Sequence, residues 1–548
     1  MSVVTVTILS EGQTLDPGYE LLSVDVVREL NRIPYASLTL IDGDAAQRTF
    51  ALSDSGFFDP GKKIEIKLRY EGTPSTDKTV FKGLVVTHSV EAEGDTSTLS
   101  VRMKDAAVTL TQVRNNQLFL DQSDDQVVKQ LIQNRGLTAG NIAATPVKHA
   151  ELVQYGCSDW DFLLARAESN GLVVKVVDGT ISLAKIESGG AAKRSFEYGI
   201  DELYSFEMEA EADGQYAAVS SVAWDSKTQK MTQAKQAKDV QPNPGDLAAS
   251  KLASAMGGET CQLVNSTQML PEELQAWADA TLARSRLGML RGRIAAPGST
   301  DVELLDGIEI KGVGKRFNGT ALVSGLRHRV TDEGWITDVQ FGLSPEWLLS
   351  RPGAAANALP AGGLLPAIGG LHIGLVTTIE SDPDNEFRVQ VQIPTLGDQQ
   401  NTLWARMVSP DAGKDRGYCF RPEVGDEVVI GFINQDPRQP IVLGALFGSV
   451  NKPPQRFGEP KDANTGRGIA SKKGSLFGFD DEKVRIYLET PAGNKITLDD
   501  DAKSIVLADQ HGNTVTLDQN GISLKSAKDL KLEASGNVTI SGAKVDVQ

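Results

Sequence analysis

The stretch that decides the fold is VRIYLE (484–489), GNKITLDD (493–500), SIVLAD (504–509), GNTVTLDQ (512–519), GISLKS (521–526), DLKLEA (529–534), GNVTIS (536–541) and KVDV (544–547). Apolar residues stand two apart in each piece: Ile496/Leu498, Ile505/Leu507, Val515/Leu517, Ile522/Leu524, Leu530/Leu532, Val538/Ile540 and Val545/Val547. Strict alternation turns one face of a strand toward a core and the other toward water. The pairs recur every 7 to 10 residues, with Gly-Asn turns at 493–494, 512–513 and 536–537. Short strands at even spacing mark a repeat architecture. One chain of this kind has no helix to cover its apolar face, and open strand edges aggregate. The expectation is a needle over 483–548 made by several intertwined chains, with these fourteen residues as its shared core. The competing β-sandwich fits poorly, because the last pieces are too short and even for Greek-key loops.

Composition sets the outer limits. A chain of 548 residues holds roughly three or four domains. Forty per cent hydrophobic and 23% charged residues suit a folded, water-soluble protein. The net charge of −17 argues against nucleic acid as a partner, since like charges repel. Cys157, Cys261 and Cys419 are scattered, form neither a paired framework nor a metal knuckle, and suit a reducing compartment. The first ten residues, MSVVTVTILS, lack the basic segment and long apolar core of a Sec signal. No run of 18 apolar residues exists.

Upstream of the repeat the chain reads mainly β with inserted helices. LLSVDVVREL, YASLTLID, KKIEIKLRY, VFKGLVVTHSV and STLSVRMKD are strands of a first barrel before residue 110. Helices are expected over 124–136, 158–170 (capped by Ser158) and 271–290 (opened by Pro271). RGRIAA, DGIEIKGVG, GTALVSGLRHRV and WITDVQFGL read as a second barrel, so that three chains would present six similar units. The divisions are a hub over 1–351, an Ala/Gly/Pro linker over 352–370, a compact β unit over 371–454, a connector over 455–482 and the needle.

The 371–454 unit carries a resemblance. Gly374, Val376, Asp382-Pro383, Arg388-Val389, Trp404-Ala405-Arg406, Pro410, Gly413, Gly417, PEVGDEV (422–428), Phe432, Asp436-Pro437, Pro440 and Gly444 stand in the order of the OB-fold of contractile-injection spikes. That family includes the VgrG proteins of type VI secretion, phage tail spikes and the spikes of extracellular, antifeeding-prophage-like particles, whose layout this chain resembles most. WDFLLARAESNG and HRVTDEGWITDVQFG resemble its tube-docking hub. Trp404 is expected to fill the barrel core, with Pro422 and Gly425 shaping the turn. The resemblance implies a homotrimer with two tube-docking β-barrel domains, an OB-fold barrel and a C-terminal triple-stranded β-helix. It implies a non-enzymatic spike and central baseplate hub linking a sixfold inner tube to a membrane-piercing threefold needle.

The implied partners are the inner-tube or tube-initiator protein, baseplate wedge proteins, the target membrane and a PAAR-type tip protein held at Val547 and Gln548. The implied location is a phage-tail-like particle assembled from cytoplasmic protein. The connector is too short for the lysozyme domain of some phage spikes, and His511 is the needle's single histidine, so an iron-binding His-x-His tip is not expected.

Chemistry is weakly signalled. His88, His149, His328, His372 and His511 form no metal-ligand spacing, and no cofactor is expected. Glu423, Asp426 and Glu427 would serve a spike that also degrades an envelope polymer such as peptidoglycan, the alternative reading, but their place in a tight turn favours structure. Asp499-Asp500-Asp501 lacks the further ligands of a calcium loop.

Overall fold

The computed structural model describes residues 3–547 except 72–76, 187–190, 226–227, 241–244, 259, 266–268, 345, 347, 349–366, 397–401 and 460. Most of the expected linker and Gln548 therefore lie outside the described residues. The chain divides into two compact units, Met1–Leu359 and Pro360–Gln548.

The first unit is built on one 13-stranded sheet, in which both expected barrels take part. One set of strands runs Leu21–Glu29, Tyr35–Ile41, Thr96–Lys104, Lys78–Glu93, Lys63–Tyr70 and Val4–Ser10 in sheet order. The other runs Ser205–Ala210, Leu290–Pro297, Gly334–Phe341, Gly319–Thr331, Gly307–Lys311 and Ala192–Glu197. The two orders correspond, and so do the antiparallel pairings of the first five strands, but the sixth strand differs: Val4–Ser10 pairs antiparallel with its neighbour and Ala192–Glu197 parallel. In each, a long hairpin carries a bulge at the same distance from its turn. It falls between Val85 and Thr87 in a hairpin closed by Glu93 and Thr96, and between Val323 and Gly325 in one closed by Thr331 and Gly334. A bulge inserts one residue and bends the strand, so its recurrence marks duplicated geometry.

The sets join where Gly325–Val330 pairs antiparallel with Val24–Glu29. Each set has its own core, one around Leu38, Phe58, Ile66 and Phe81, the other around Phe196, Ile308, Val323 and Phe341. His328 sits at the seam, fully buried, with Nδ1 3.0 Å from Thr337 Oγ1. Burial, aided by the Arg28 charge, pushes its pKa down to about 3.

The helices fall close to where the sequence places them. Asp124–Asn134 follows a Ser123/Gln126 capping box, and Asp159–Ser169 begins where Ser158 Oγ accepts the Asp161 N–H. Both pack on a third core that includes Leu131, Leu163, Val174 and Ile181. Pro271–Met289 docks through an Arg284–Glu168 ion pair of 2.9 Å that is almost wholly buried.

The second unit contains a closed five-stranded barrel, His372–Thr378, Val389–Gln392, Thr402–Met407, Pro440–Ala445 and Glu427–Phe432. Val376, Val389, Val391, Ala405, Val428, Ile430 and Val442 fill it. The expectation that Trp404 fills this core is corrected. Alternation along Thr402–Met407 turns Leu403, Ala405 and Met407 inward and leaves Trp404 half-buried on the outer side. Downstream of the barrel lies a seven-stranded antiparallel sheet from Gly466 to Lys525, in which each strand pairs with the next. It begins inside the stretch 455–482 expected to be a connector.

Candidate functional site: the open face of the C-terminal sheet

The PEVGDEV turn leads into the barrel strand Glu427–Phe432, and the C-terminal sheet begins at Gly466, after the last barrel strand Pro440–Ala445. In the PEVGDEV turn Pro422 is buried, Gly425 adopts φ +92° and Asp426 accepts the Glu423 N–H at 2.8 Å. A side chain at Gly425 would be strained in that left-handed conformation. Gly425 also donates its N–H to the Val376 carbonyl at 2.8 Å, tying the turn to the barrel. Glu423 pairs with Lys472. The Asp426 carboxylate holds the turn, and that of Glu423 is taken up by an ion pair. Asp382 accepts hydrogen bonds from the Arg388 side chain and from the backbone of Arg388, Asp384 and Glu386, which hold its pKa well below the usual carboxylate range.

The register of the sheet aligns its apolar residues into two continuous columns. One runs Ile469, Phe477, Leu488, Ile496, Leu507, Val515, Leu524. The other runs Phe479, Ile486, Leu498, Ile505, Leu517, Ile522. The intervening positions, among them Tyr487, Thr497, Thr516 and Ser523, point to the other face. Ile505 and Leu507 keep 40% and 41% of their exposure, and Ile522 keeps 74%. A groove of about 790 Å³ runs beside one column and is lined by its Leu488, Ile496, Leu507, Val515 and Leu524.

Phe477 and Phe479 were not among the residues picked out in the sequence. They stack edge to face at 5.0 Å and extend the apolar columns upstream. The LFGFD alternation that signals them is short and set among Gly and Lys.

Beyond Lys525 the ladder stops. Leu530, Leu532, Val538, Ile540, Val545 and Val547 lie 53–92% exposed in a segment with no assigned strand. His511 is exposed, and no group of three or more metal-ligating side chains occurs among the described residues.

An apolar sheet face of this length, open to solvent and continued by unpaired alternating residues, defines a subunit of an oligomeric β-structure carried on an OB barrel. Comparison with known proteins agrees. Residues 372–447 match the Type VI secretion system/phage-baseplate injector OB domain, and 485–548 match the phage baseplate V C-terminal trimerisation domain. Residues 1–332 match the Alg8 N-terminal domain. The chain belongs to the VgrG/phage tail-spike family and carries an N-terminal domain of the Alg8 family.

Among curated relatives, it is 31% identical over 135 residues to the actin cross-linking toxin VgrG1 of Vibrio cholerae serotype O1, covering 22% of this chain and 12% of that one. It is 35% identical over 103 residues to the spike protein VgrG5 of Pseudomonas aeruginosa, covering 18% and 13%. The matched stretches thus span little more than a tenth of those relatives. Among solved structures, the 43 kDa tail protein of prophage MuSo2 from Shewanella oneidensis aligns with TM-score 0.46 at 12% identity over 63% of this chain and 99% of that one. The E. coli c3393 protein, a type VI secretion component, aligns with TM-score 0.39 at 13% identity over 80% and 99%.

Proposed function

We propose that three copies of this chain form a non-enzymatic spike and central hub of a contractile injection machine. In this reading the duplicated hub receives the sixfold inner tube and the baseplate wedges, and the OB barrels gather three C-terminal sheets around one axis. The joined sheets form a needle that is driven through a target membrane with a PAAR-type protein on its end. The observation that carries the reading is the pair of apolar columns, left open in a segment that matches a trimerisation domain. Closing three such faces on one another removes them from water, and this burial is the dominant favourable term in association.

About eight repeats at ~4.8 Å give a length of ~40 Å, comparable with a bilayer including its headgroups at ~40–45 Å. The outer face carries mainly polar and charged side chains, with Leu476 and Val506 among them, so entry into lipid requires force. The particle would be assembled from cytoplasmic protein and act outside the producing cell. Mass photometry with negative-stain microscopy of the purified chain tests this: a threefold hub bearing a thin rod is expected, and a stable monomer refutes it.

A further inference from the structure

We propose that His149 is a proton-operated latch inside the first unit. Its doubly protonated ring fastens the first turn of the helix Pro271–Met289 to the helices over the third core, and its neutral ring lets that turn open. The device is separate from the trimer reading above, since all of its groups belong to one chain.

Several elements meet at this ring. His149 stands in the strand Lys148–Ser158, and the partner strand sets the uncharged Gln122 opposite it. Asp124 opens the helix Asp124–Asn134, Arg166 comes from the last turn of Asp159–Ser169, and Glu273 lies in the first turn of Pro271–Met289. Nε2 of His149 is 3.1 Å from Asp124 Oδ2 and 3.3 Å from Arg166 Nη2, and Nδ1 is 3.5 Å from Glu273 Oε1. Asp124, Arg166 and Glu273 are the charged groups in hydrogen-bond or ion-pair contact with the ring among the described residues. Lys148, next along the strand, is exposed and by alternation turned to the other face. Only 9% of the His149 side chain and 2% of that of Asp124 reach solvent.

The arrangement calls for two N–H groups on the ring. A carboxylate only accepts, so Nε2 donates to Asp124. Arg166 does not need the lone pair at Nε2, because its Nε and Nη2 already donate to Asp124 at 2.6 and 3.0 Å. A neutral imidazole then turns a bare lone pair at Nδ1 toward the Glu273 carboxylate, and two acceptors face each other. A second proton converts that contact into a charge-assisted hydrogen bond. It also balances the cluster, since two carboxylates then face one guanidinium and one imidazolium. Both carboxylates stand in the first turn of a helix, where negative charge is favoured. Burial opposes it, yet the bonds from Arg166, Asn170 and His149 hold the Asp124 carboxyl below the usual carboxylate range. Glu273 Oε2 accepts the Leu270 N–H at 2.9 Å and caps the helix, which leaves Oε1 for the ring.

The packing shows which part the latch controls. Residues 282–289 of the helix are all buried, and the Arg284–Glu168 pair anchors them. At the other end Pro271 and Glu272 are exposed, and a cavity of about 180 Å³ is lined by Asp124, Arg166, Asn170, Glu273 and Trp277. Opening therefore begins at the N-terminal turns. It would loosen the strand Ala218–Asp225 as well, whose Ser221 Oγ donates to the Leu274 carbonyl at 2.7 Å. A free imidazole exchanges its second proton near pH ~6.5. The latch holds on the acid side of that range and yields on the alkaline side.

Hydrogen exchange of the full chain tests this, read by mass spectrometry at about pH 5.5 and about pH 8 and corrected for the intrinsic pH dependence of exchange. Protection of 271–278 is expected to be about tenfold greater at the lower pH, the worth of one hydrogen bond to a charged group. Residues 282–289 should show no such change. Glu273→Gln keeps the helix cap and offers Nδ1 an N–H, so its protection at the higher pH should equal that of the parent at the lower. His149→Gln should show low protection at both, and should that variant fail to fold, Glu273→Gln decides. Equal protection of 271–278 at both pH values in the parent overturns the latch. So does a pH response that spreads evenly over the whole helix or survives in Glu273→Gln.

Discussion

The C-terminal columns allow one perturbation to be worked through in numbers. Replace Ile505 and Leu507 together with Asp. Each retains about two fifths of its exposure in the single chain, so assembly would bury roughly 70 Å² more of each, worth ~2 kcal/mol per side chain. Six such side chains per trimer contribute on the order of 10 kcal/mol, about seven orders of magnitude in the association constant. Charged oxygens forced toward a shared axis add a desolvation cost of several kcal/mol per ion. The assay is sedimentation velocity at micromolar concentration, with circular dichroism confirming that the hub stays folded. The double variant is expected to sediment as a monomer or as aggregate while the parent sediments as a trimer. A variant that remains trimeric with unchanged heat resistance would refute the reasoning, because the columns would then face nothing that matters.

Three further outcomes follow from other parts of the chain. Phe477→Ser should lower the melting temperature of the assembled needle, whereas no change would mean that 466–480 is only a connector. Glu168→Ala leaves Arg284 without its buried carboxylate, and urea unfolding should show a loss of ~3–5 kcal/mol from the hub. His328 ties stability to pH: its folded pKa of about 3 lies below the ordinary 6.5, so between those values the unfolded chain takes up a proton that the folded site refuses. Hub stability from this residue is full above ~6.5 and falls by ~1.4 kcal/mol per unit as pH drops toward ~3. His328→Gln should flatten that part of the profile measured by denaturant titration, and an unaltered slope would show that the histidine does not titrate there.

Local pattern made much of this molecule readable in advance. Ser158 caps its helix, Pro271 opens another, and every alternating pair from Ile496 to Leu524 lies on one face of one sheet. What escaped has a common physical root. Alternation states which residues share a face but not which face is inside, so Trp404 was turned the wrong way when Ala405 took the core. It also does not state which strand lies alongside. The residues beyond Lys525 alternate as those before it do, yet they have no ladder in their own chain. The seam between Val24–Glu29 and Gly325–Val330 joins residues about 300 positions apart, a pairing that no local window contains. Phe477 and Phe479 were hidden by composition, since Gly and Lys around them read as a flexible link.

The order of strands in the C-terminal sheet has a consequence for how it carries load. From Gly466 to Lys525 the strands stack in sequence, joined by ladders of four or five residue pairs. The hydrogen bonds point along the stack. Thrust along that direction presses each strand onto the one before it and shortens no span of chain. Tension in the same direction meets one ladder at a time and opens the sheet like a zip, beginning at an end. The same sheet is therefore far stronger in being pushed than in being pulled, a structure suited to a single forward stroke.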